Sequence, residues 1–211
     1  MIALGNDTLL QLLEKKLSAD KPGMDAQLKM TPRPRPGHRR YEEVGASCAR
    51  AGVLVLLYPR KNRLCLVLTR RTEQVRQHRA QISLPGGRQE PGEDLVRTAL
   101  RETEEELGVQ PDSPRILGML TPLYVPPSNT CIHPVVASLP ERPEFIRAPE
   151  EVEEVIEIPL EHLRNPVNLH EEVWTIRGIP VRVPFYLFKG NKIWGATAMI
   201  LAELLHLLRE D

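Results

Sequence analysis

Apolar and polar residues alternate along the chain in blocks that predict a mixture of strands and helices. Two nearly apolar runs, 51–58 and 63–70, flank the turn-forming residues PRKN and predict a β-hairpin covered on both faces. Further strands are predicted at 115–125, 131–139, 152–158, 172–176 and 181–188, and helices at 94–107 and 196–208. Elements in this order predict an α/β or α+β fold, with helices on both sides of a mixed sheet.

The first fifty residues differ in pattern from the rest. Leu9, Leu13 and Leu17 fall on one stripe behind Asn6 and Asp7, which predicts a short amphipathic helix. Residues 31–40 alternate proline with arginine, and this pattern suits neither a helix nor a central strand. We therefore expect an N-terminal helix and an extended connector at residues 1–50, followed by one main domain at 51–211.

Composition narrows the function classes. The chain of 211 residues balances 28 Lys and Arg against 28 Asp and Glu, which argues against binding to nucleic acid or to an anionic membrane. Its longest apolar run is far shorter than the roughly 20 residues that span a bilayer. Cys48, Cys65 and Cys131 form no CxxC pair, so we expect buried thiols in a reducing compartment. With no secretory pattern at the start, the expected location is cytoplasmic.

Residues 85–109 carry the strongest chemical signal. Gly86 and Gly87 allow a tight turn before a predicted helix, on which Glu102, Glu105 and Glu106 share one turn. Carboxylates at this spacing repel each other unless a cation neutralises them. Oxygen donors suit Mg²⁺ or Mn²⁺, which polarise phosphate oxygens and lower the pKa of bound water. The segment therefore predicts metal-assisted phosphoryl chemistry.

Two more residues of this segment have a different predicted role. Arg101 and Glu93 are eight residues apart across the junction of loop and helix, where an ion pair would fix one against the other. The alternative for the whole segment is an ordinary solvated acidic face, which is common on glutamate-rich helices.

The spacing argues against that alternative, because it resembles the Nudix box, Gly-x5-Glu-x7-Arg-Glu-U-x-Glu-Glu-x-Gly-U, with U apolar. The matching residues are Gly87, Glu93, Arg101, Glu102, Glu105, Glu106, Gly108 and Val109. Thr103 stands where the pattern has an aliphatic residue. The resemblance implies an α/β/α sandwich around a mixed sheet and hydrolysis of a nucleoside diphosphate linked to another group.

The residues just before the box narrow the resemblance to the coenzyme A diphosphatases of this family. The matching positions are Leu68, Thr69, Arg70, His78, Gln81, Pro85, Gly86 and Gly87. Ala80, Leu84 and the pair Asn129 and Thr130 depart from the family pattern. The substrate-binding candidates are Arg70, Arg71, His78, Gln81, Gly86 and Gly87. Arginine binds phosphate through a planar fork of donors, and Arg70 is the preferred candidate.

The resemblance implies cleavage of coenzyme A to 3′,5′-ADP and 4′-phosphopantetheine with Mg²⁺ or Mn²⁺ as cofactor. The metal candidates are Glu102, Glu105 and Glu106, and the catalytic candidates are Glu105, Glu102, Arg101 and Glu93. A base from a later loop would come from Glu150, Glu151, Glu153 or Glu154. The expected partner is a small nucleotide, and family analogy also allows a homodimer.

Two other functions stay open on the sequence. One is a Nudix pyrophosphatase for another substrate such as ADP-ribose, NADH or a dinucleotide, because the upstream motif has substituted positions. The other is a Nudix-fold sensor that binds a nucleotide without catalysis, although Glu102, Glu105 and Glu106 are all intact.

Overall fold

The predicted hairpin is the centre of the computed structural model, which describes residues 5–19, 21–34, 39–44, 47–72 and 81–209. Strand β1 (Ala49–Arg60) pairs antiparallel with β2 (Arg63–Arg71). Lys61 and Asn62, at the turn, have φ values of 49° and 62°. Two consecutive left-handed residues match the right-handed twist of the strands and close the hairpin tightly.

Six more strands complete an eight-stranded sheet. They are β3 (Ile82–Ser83), β4 (Gly86–Arg88), β5 (Arg115–Met119), β6 (Leu123–Val125), β7 (Thr130–Ser138) and β8 (Val152–Pro159). Strand β1 runs parallel to β7, whereas the other pairs are antiparallel, so the sheet is mixed as predicted. The prediction of a single strand at 115–125 is wrong, because the structure divides this segment into β5 and β6.

Six α-helices lie in the described residues. They are α1 (Asn6–Leu17), α2 (Gly23–Gln27), α3 (Tyr41–Val44), α4 (Leu95–Leu107), α5 (Leu160–Arg164) and α6 (Gly195–Leu207). The long helices α1, α4 and α6 follow the predictions, and the short ones were not predicted. No helix in the described ranges is long and apolar enough to cross a membrane.

Alternate residues of β1 face two separate cores. Val53, Val55 and Leu57 pack in the core that contains α6 and α1 residues, while Leu54 and Leu56 pack in the core under α4. Burial on both faces explains why the strand is almost wholly apolar. The layers therefore form the expected α/β/α sandwich.

The last strands form a small sheet of their own. Strands β9 (Leu169–Ile176), β10 (Ile179–Phe188) and β11 (Asn191–Trp194) pair antiparallel. Tyr186 and Ile193 reach into the α6 core, which attaches this sheet to the main body. The sequence predicted parts of β9 and β10 but neither β11 nor the separate sheet.

The N-terminal region shares the core of the main body. Leu13, Leu17 and Met30 are buried in the α6 core. Arg33, in the predicted extended connector, forms a β-bridge with Arg182 of β10. The N-terminal region is thus packed against the main fold at these four residues.

The cysteine prediction was wrong for two of the three residues. Cys48 and Cys131 form a disulfide, with their α-carbons 5.7 Å apart, and only Cys65 is a buried free thiol. The parallel pairing of β1 and β7 sets Ala49 opposite Thr130, which brings the two cysteines together. Their separation of 83 residues concealed this pairing in the sequence. Because two of the three cysteines are paired, the cysteines no longer support the expected reducing compartment or the cytoplasmic location inferred with it.

Candidate active site

The Gly86 and Gly87 turn lies directly against β1 and α4. A β-carbon on Gly86, which has a φ of +145°, would lie 2.4 Å from the carbonyl oxygen of Gly52. A β-carbon on Gly87 would lie 2.2 Å from Oε2 of Glu102. Because both contacts are too short for any side chain, glycine lets the Glu102 carboxylate rest on the turn itself.

Gly52 is a site residue that the sequence analysis missed. A β-carbon there would lie 2.5 Å from the carbonyl oxygen of Leu95, at the start of α4. The missing side chain therefore lets the carboxylate-bearing helix approach β1 closely. The available signal was a glycine inside an otherwise apolar strand, which often marks close backbone approach.

Helix α4 has well-defined ends. Asp94 caps it, since its side chain accepts a hydrogen bond of 2.8 Å from the backbone N–H of Arg97, and Gly108 closes it with a φ of 70°. Thr103, the departure from the family pattern, is buried and donates its hydroxyl to the carbonyl of Ala99 at 2.6 Å. The hydroxyl of Thr103 is therefore satisfied within the helix.

Asn129 also compensates for a departure from the family pattern. It has a φ of 48°, a left-handed conformation that glycine adopts freely and asparagine tolerates better than most residues. Its carbonyl accepts from the N–H of Ala49 at 3.0 Å. The loop before β7 thus keeps a conformation that favours glycine.

The expected ion pair between Glu93 and Arg101 is present. Arg101 Nε donates to Glu93 Oε1 at 2.8 Å, and the Thr98 hydroxyl donates to Glu93 Oε2 at 2.9 Å. Arg101 also donates to the carbonyl oxygen of Arg88 at 3.2 Å. The hydrogen bond from Arg101 is the largest of the effects that lower the pKa of Glu93 to about 2. This pair joins the glycine turn to α4.

Arg101 also contacts two of the three metal candidates. Its Nη1 lies 3.0 Å from Glu102 Oε1 and 3.1 Å from Glu105 Oε2. Burial is the largest effect on Glu102 and raises its pKa, with Arg101 opposing that shift. Glu105 is more accessible, with 54% of its side chain exposed. Arg101 therefore orients carboxylates as well as the turn.

Glu106 points inward from the same turn of helix. Only 2% of it is exposed, and Arg71 Nη1 lies 3.4 Å from its Oε1. Its Oε2 is buried without a hydrogen-bond partner among the described residues. Burial raises the pKa of Glu106 to about 8, against the opposing effect of Arg71. An under-neutralised carboxylate is thus buried beside the glycine turn.

Among the later carboxylates, Glu151 is the one whose charge affects Glu102 and Glu106. Arg71 Nη2 is 3.6 Å from Glu151 Oε2, and the charge of Glu151 raises the pKa of both Glu102 and Glu106. By contrast, Glu154 pairs with Arg70 at 2.6 Å. Glu151 therefore lies beside the arginine that contacts Glu106, whereas Glu154 is paired with Arg70.

The two adjacent arginines of β2 have different surroundings. Arg71 donates to Glu106 of α4, whereas Arg70 donates to Asn191 of the small sheet at 2.5 Å. The backbone carbonyl of Gln81 accepts from the N–H of Arg71 at 3.1 Å. His78 lies outside the described residues. The preferred substrate ligand, Arg70, is thus not among the residues that the structure places at the acidic group.

The donor set fits a hard divalent cation. Glu102, Glu105 and Glu106 supply carboxylate oxygens only, and one oxygen of the buried Glu106 lacks a partner in the described part. The side chains do not already form a closed cluster, since no group of three metal-binding side chains is present among the described residues. Holding a cation would therefore require local side-chain rearrangement, including release of Glu102 or Glu105 from Arg101.

The fold and these carboxylates match a known class of hydrolase. The family profile described as NUDIX domain matches residues 49–177, more than half of the chain. The chain therefore belongs to the Nudix hydrolase family.

Two relatives extend this similarity beyond the domain itself. The human protein named "Mitochondrial coenzyme A diphosphatase NUDT8" is 37% identical over 166 residues, covering 76% of this chain and 70% of that protein. The Yersinia pestis (strain Pestoides F) protein named "Uncharacterized Nudix hydrolase NudL" is 35% identical over 160 residues, covering 75% and 79%.

Two solved structures are also similar to this chain, at lower sequence identity. The MutT protein from Methanosarcina mazei Go1 matches with a TM-score of 0.49 and 18% identity, covering 75% of this chain and 92% of that one. The Caenorhabditis elegans Ap4A hydrolase binary complex matches with a TM-score of 0.46 and 20% identity, covering 55% and 82%. The family assignment rests on the profile match and the relatives.

Proposed function

We propose that this Nudix hydrolase is a coenzyme A diphosphatase that uses Mg²⁺ or Mn²⁺. The observation that carries the catalytic part is the buried Glu106 beside Gly86, one oxygen of which has no hydrogen-bond partner among the described residues. The substrate part is supported by the 37% identity to the human coenzyme A diphosphatase and by the motif before the box.

In this proposal the carboxylates of α4 bind the cation, and the pair of Arg101 and Glu93 positions them. Glu102, Glu105 and Glu106 would hold the cation, which when bound polarises phosphate oxygens and lowers the pKa of a water. Arg101, fixed by Glu93 at 2.8 Å, would set the orientation of Glu102 and Glu105. Arg101 and Glu93 are therefore positioning residues in this proposal, whereas the sequence analysis grouped them with the catalytic candidates.

We assign the proton-accepting role to Glu151. It is half exposed, so water can reach it, and it lies on the loop before β8 near the charges of Glu102 and Glu106. A carboxylate in that place can accept a proton from the attacking water within hydrogen-bond reach. Glu105 is the alternative on α4 itself, because 54% of its side chain is exposed.

For the diphosphate we now favour Arg71 over Arg70. Arg71 lies beside Glu106, whereas Arg70 is occupied by Glu154 and Asn191. A guanidinium can contact two phosphate oxygens at once, which suits Arg71 to a diphosphate held next to the carboxylates. The peptide groups of Gly86 and Gly87 remain candidates for contact with the substrate.

The test is a substrate panel with Mg²⁺ or Mn²⁺, containing coenzyme A, dephospho-coenzyme A, ADP-ribose and NADH. Chromatography with mass detection should show 3′,5′-ADP and 4′-phosphopantetheine, with dephospho-coenzyme A cleaved more slowly. Faster cleavage of ADP-ribose or NADH would instead favour the other pyrophosphatase function. No cleavage of any substrate would favour the non-catalytic sensor.

Two variants make this panel specific for the site. Glu106→Gln removes a buried charge and should lower turnover of coenzyme A by at least about a hundredfold. Glu161→Gln is the matched control, because Glu161 is exposed and pairs only with Arg63 among the described contacts of its carboxylate. Equal turnover in both variants and the parent protein would contradict a catalytic role for Glu106.

The remaining expectations stay predictions. We propose a small nucleotide of the coenzyme A class as the substrate, with a homodimer allowed by family analogy. A cytoplasmic location also stays a prediction, while the mitochondrial location is part of the human relative's name.

A further inference from the structure

Arg71 supplies the positive charge next to Glu106 and Glu151. Its guanidinium contacts Glu106 through Nη1 and Glu151 through Nη2. These two carboxylates come from different elements, α4 and the loop before β8. Arg71 therefore neutralises two carboxylates at once, and one of them, Glu106, is a proposed ligand of the cation.

The contacts of Arg71 are longer than those of the other site arginine. They measure 3.4 Å and 3.6 Å, whereas Arg101 contacts Glu93 at 2.8 Å. Ion pairs strengthen as the atoms approach, so the longer contacts are the weaker ones. The N–H of Arg71 is meanwhile bound to the carbonyl of Gln81 at 3.1 Å. A fixed backbone with a loosely held side chain lets the guanidinium turn without moving the strand.

We propose that Arg71 is an exchangeable counter-charge, which neutralises Glu106 and Glu151 when no divalent cation is bound. When Glu106 turns to the cation, Arg71 is released from it and its guanidinium becomes available to the substrate's diphosphate. This inference rests on the metal dependence in the proposed function. It predicts that metal and substrate favour each other's binding through Arg71, because each requires the same released side chain.

Metal binding to the protein without nucleotide provides the first test. Arg71→Gln removes the competing charge, and we expect Mn²⁺ to bind about three- to tenfold more tightly, as measured by electron paramagnetic resonance of free Mn²⁺. Arg63→Gln is the matched control, since Arg63 begins the same strand, carries the same charge and pairs with the exposed Glu161. We expect no change in that variant.

Nuclear magnetic resonance of arginine side chains tests the release directly and needs no charge-removing variant. Mg²⁺ should shift the Nε–H resonance of Arg71, identified by its absence in Arg71→Lys. Mg²⁺ saturation without a response of Arg71 would overturn the proposal. Weaker or unchanged Mn²⁺ binding in Arg71→Gln, or equal tightening in Arg63→Gln, would also overturn it.

The outcomes separate this inference from the proposed function. If Mn²⁺ binds and Arg71 does not respond, only the exchange fails. If Arg71 responds but coenzyme A is not cleaved, the substrate assignment fails and the exchange stands. If the parent protein binds neither Mg²⁺ nor Mn²⁺, both fail.

Discussion

At the scale of single residues, the site depends on three glycines, which have no side chain. Gly52, Gly86 and Gly87 each lie so close to other atoms that a β-carbon would meet a neighbour at 2.5 Å or less. These contacts bring α4 to β1 and place Glu102 against the turn. The positions of the carboxylates are therefore set partly by residues that carry no functional group.

Replacing Gly87 should test this dependence. In Gly87→Ala the added β-carbon would lie 2.2 Å from Glu102 Oε2, so the carboxylate must move. Because a displacement of about 1 Å can lower a rate a hundredfold, we expect turnover of coenzyme A to fall by about that factor. Gly5→Ala is the control, since no atom of the described residues lies within 4 Å of a β-carbon there. Unchanged steady-state kinetics of Gly87→Ala would show that Glu102 tolerates the shift.

At the scale of elements, helix α4 is tied to the loop before it. Glu93 accepts from Arg101 and Thr98, and Asp94 caps the first turn. Its apolar face packs against β1, and the adjacent face carries Glu102 and Glu106 toward the glycine turn, which is itself paired with β1. The amphipathic pattern that makes the segment helical thus also determines where its acidic residues point.

The tie between loop and helix should depend on pH. Glu93 has a pKa of about 2, below the ordinary 4.5, so the folded protein favours the ionised form of its carboxylate. Its contribution to stability is present above pH 4.5 and is lost as the pH falls through about 2. Urea unfolding should therefore show Glu93→Gln less stable than the parent at pH 6, with a smaller difference at pH 3. An equal difference in stability at pH 6 and pH 3 would exclude the ion pair of Glu93 and Arg101 as the cause of that difference.

At the scale of the whole molecule, one buried carboxylate joins three distant segments. Glu203 of α6 is fully buried and accepts from Gln27 Nε2 at 2.8 Å and from the Thr121 hydroxyl at 2.7 Å. The Thr121 backbone N–H also donates to it at 3.2 Å. The N-terminal region, the segment between β5 and β6, and the final helix therefore meet at one polar centre.

Removing this carboxylate should destabilise the whole fold. Glu203→Ala leaves the buried donors of Gln27 and Thr121 without their acceptor, and we expect the free energy of unfolding to fall by about 3 kcal/mol. Urea unfolding measures this directly. Glu14→Ala removes only an exposed ion pair with Arg115 and should change the free energy of unfolding by less than about 1 kcal/mol. Similar losses in the two variants would contradict the central role of Glu203.

Several parts of this arrangement were accessible to sequence reasoning because they depend on local pattern. The hairpin follows from two apolar runs and a turn, and α4 follows from its cap and its periodic apolar residues. The pair of Glu93 and Arg101 follows from spacing within one loop and helix. Local geometry converts such spacings into contacts with little help from the rest of the fold.

Other parts depend on which distant segments become neighbours. The disulfide of Cys48 and Cys131 follows from the parallel pairing of β1 and β7, and no spacing rule joins residues 83 positions apart. Arg70 and Arg71 are equally basic in the sequence, but successive residues of a strand point to opposite faces. Only the placement of α4 on one face shows that Arg71 is the one beside Glu106.

The sequence by itself therefore determined the family resemblance, the layered fold and the set of acidic residues, since these are recorded in periodicity and spacing. The tertiary structure alone decided which residues surround those carboxylates. It places Arg71 rather than Arg70 beside Glu106, sets Glu151 against Arg71, and packs Leu13, Leu17 and Met30 into the core. The physical reason is that burial and long-range contacts set the electrostatic surroundings of a charge, and neither is visible in the order of residues along the chain.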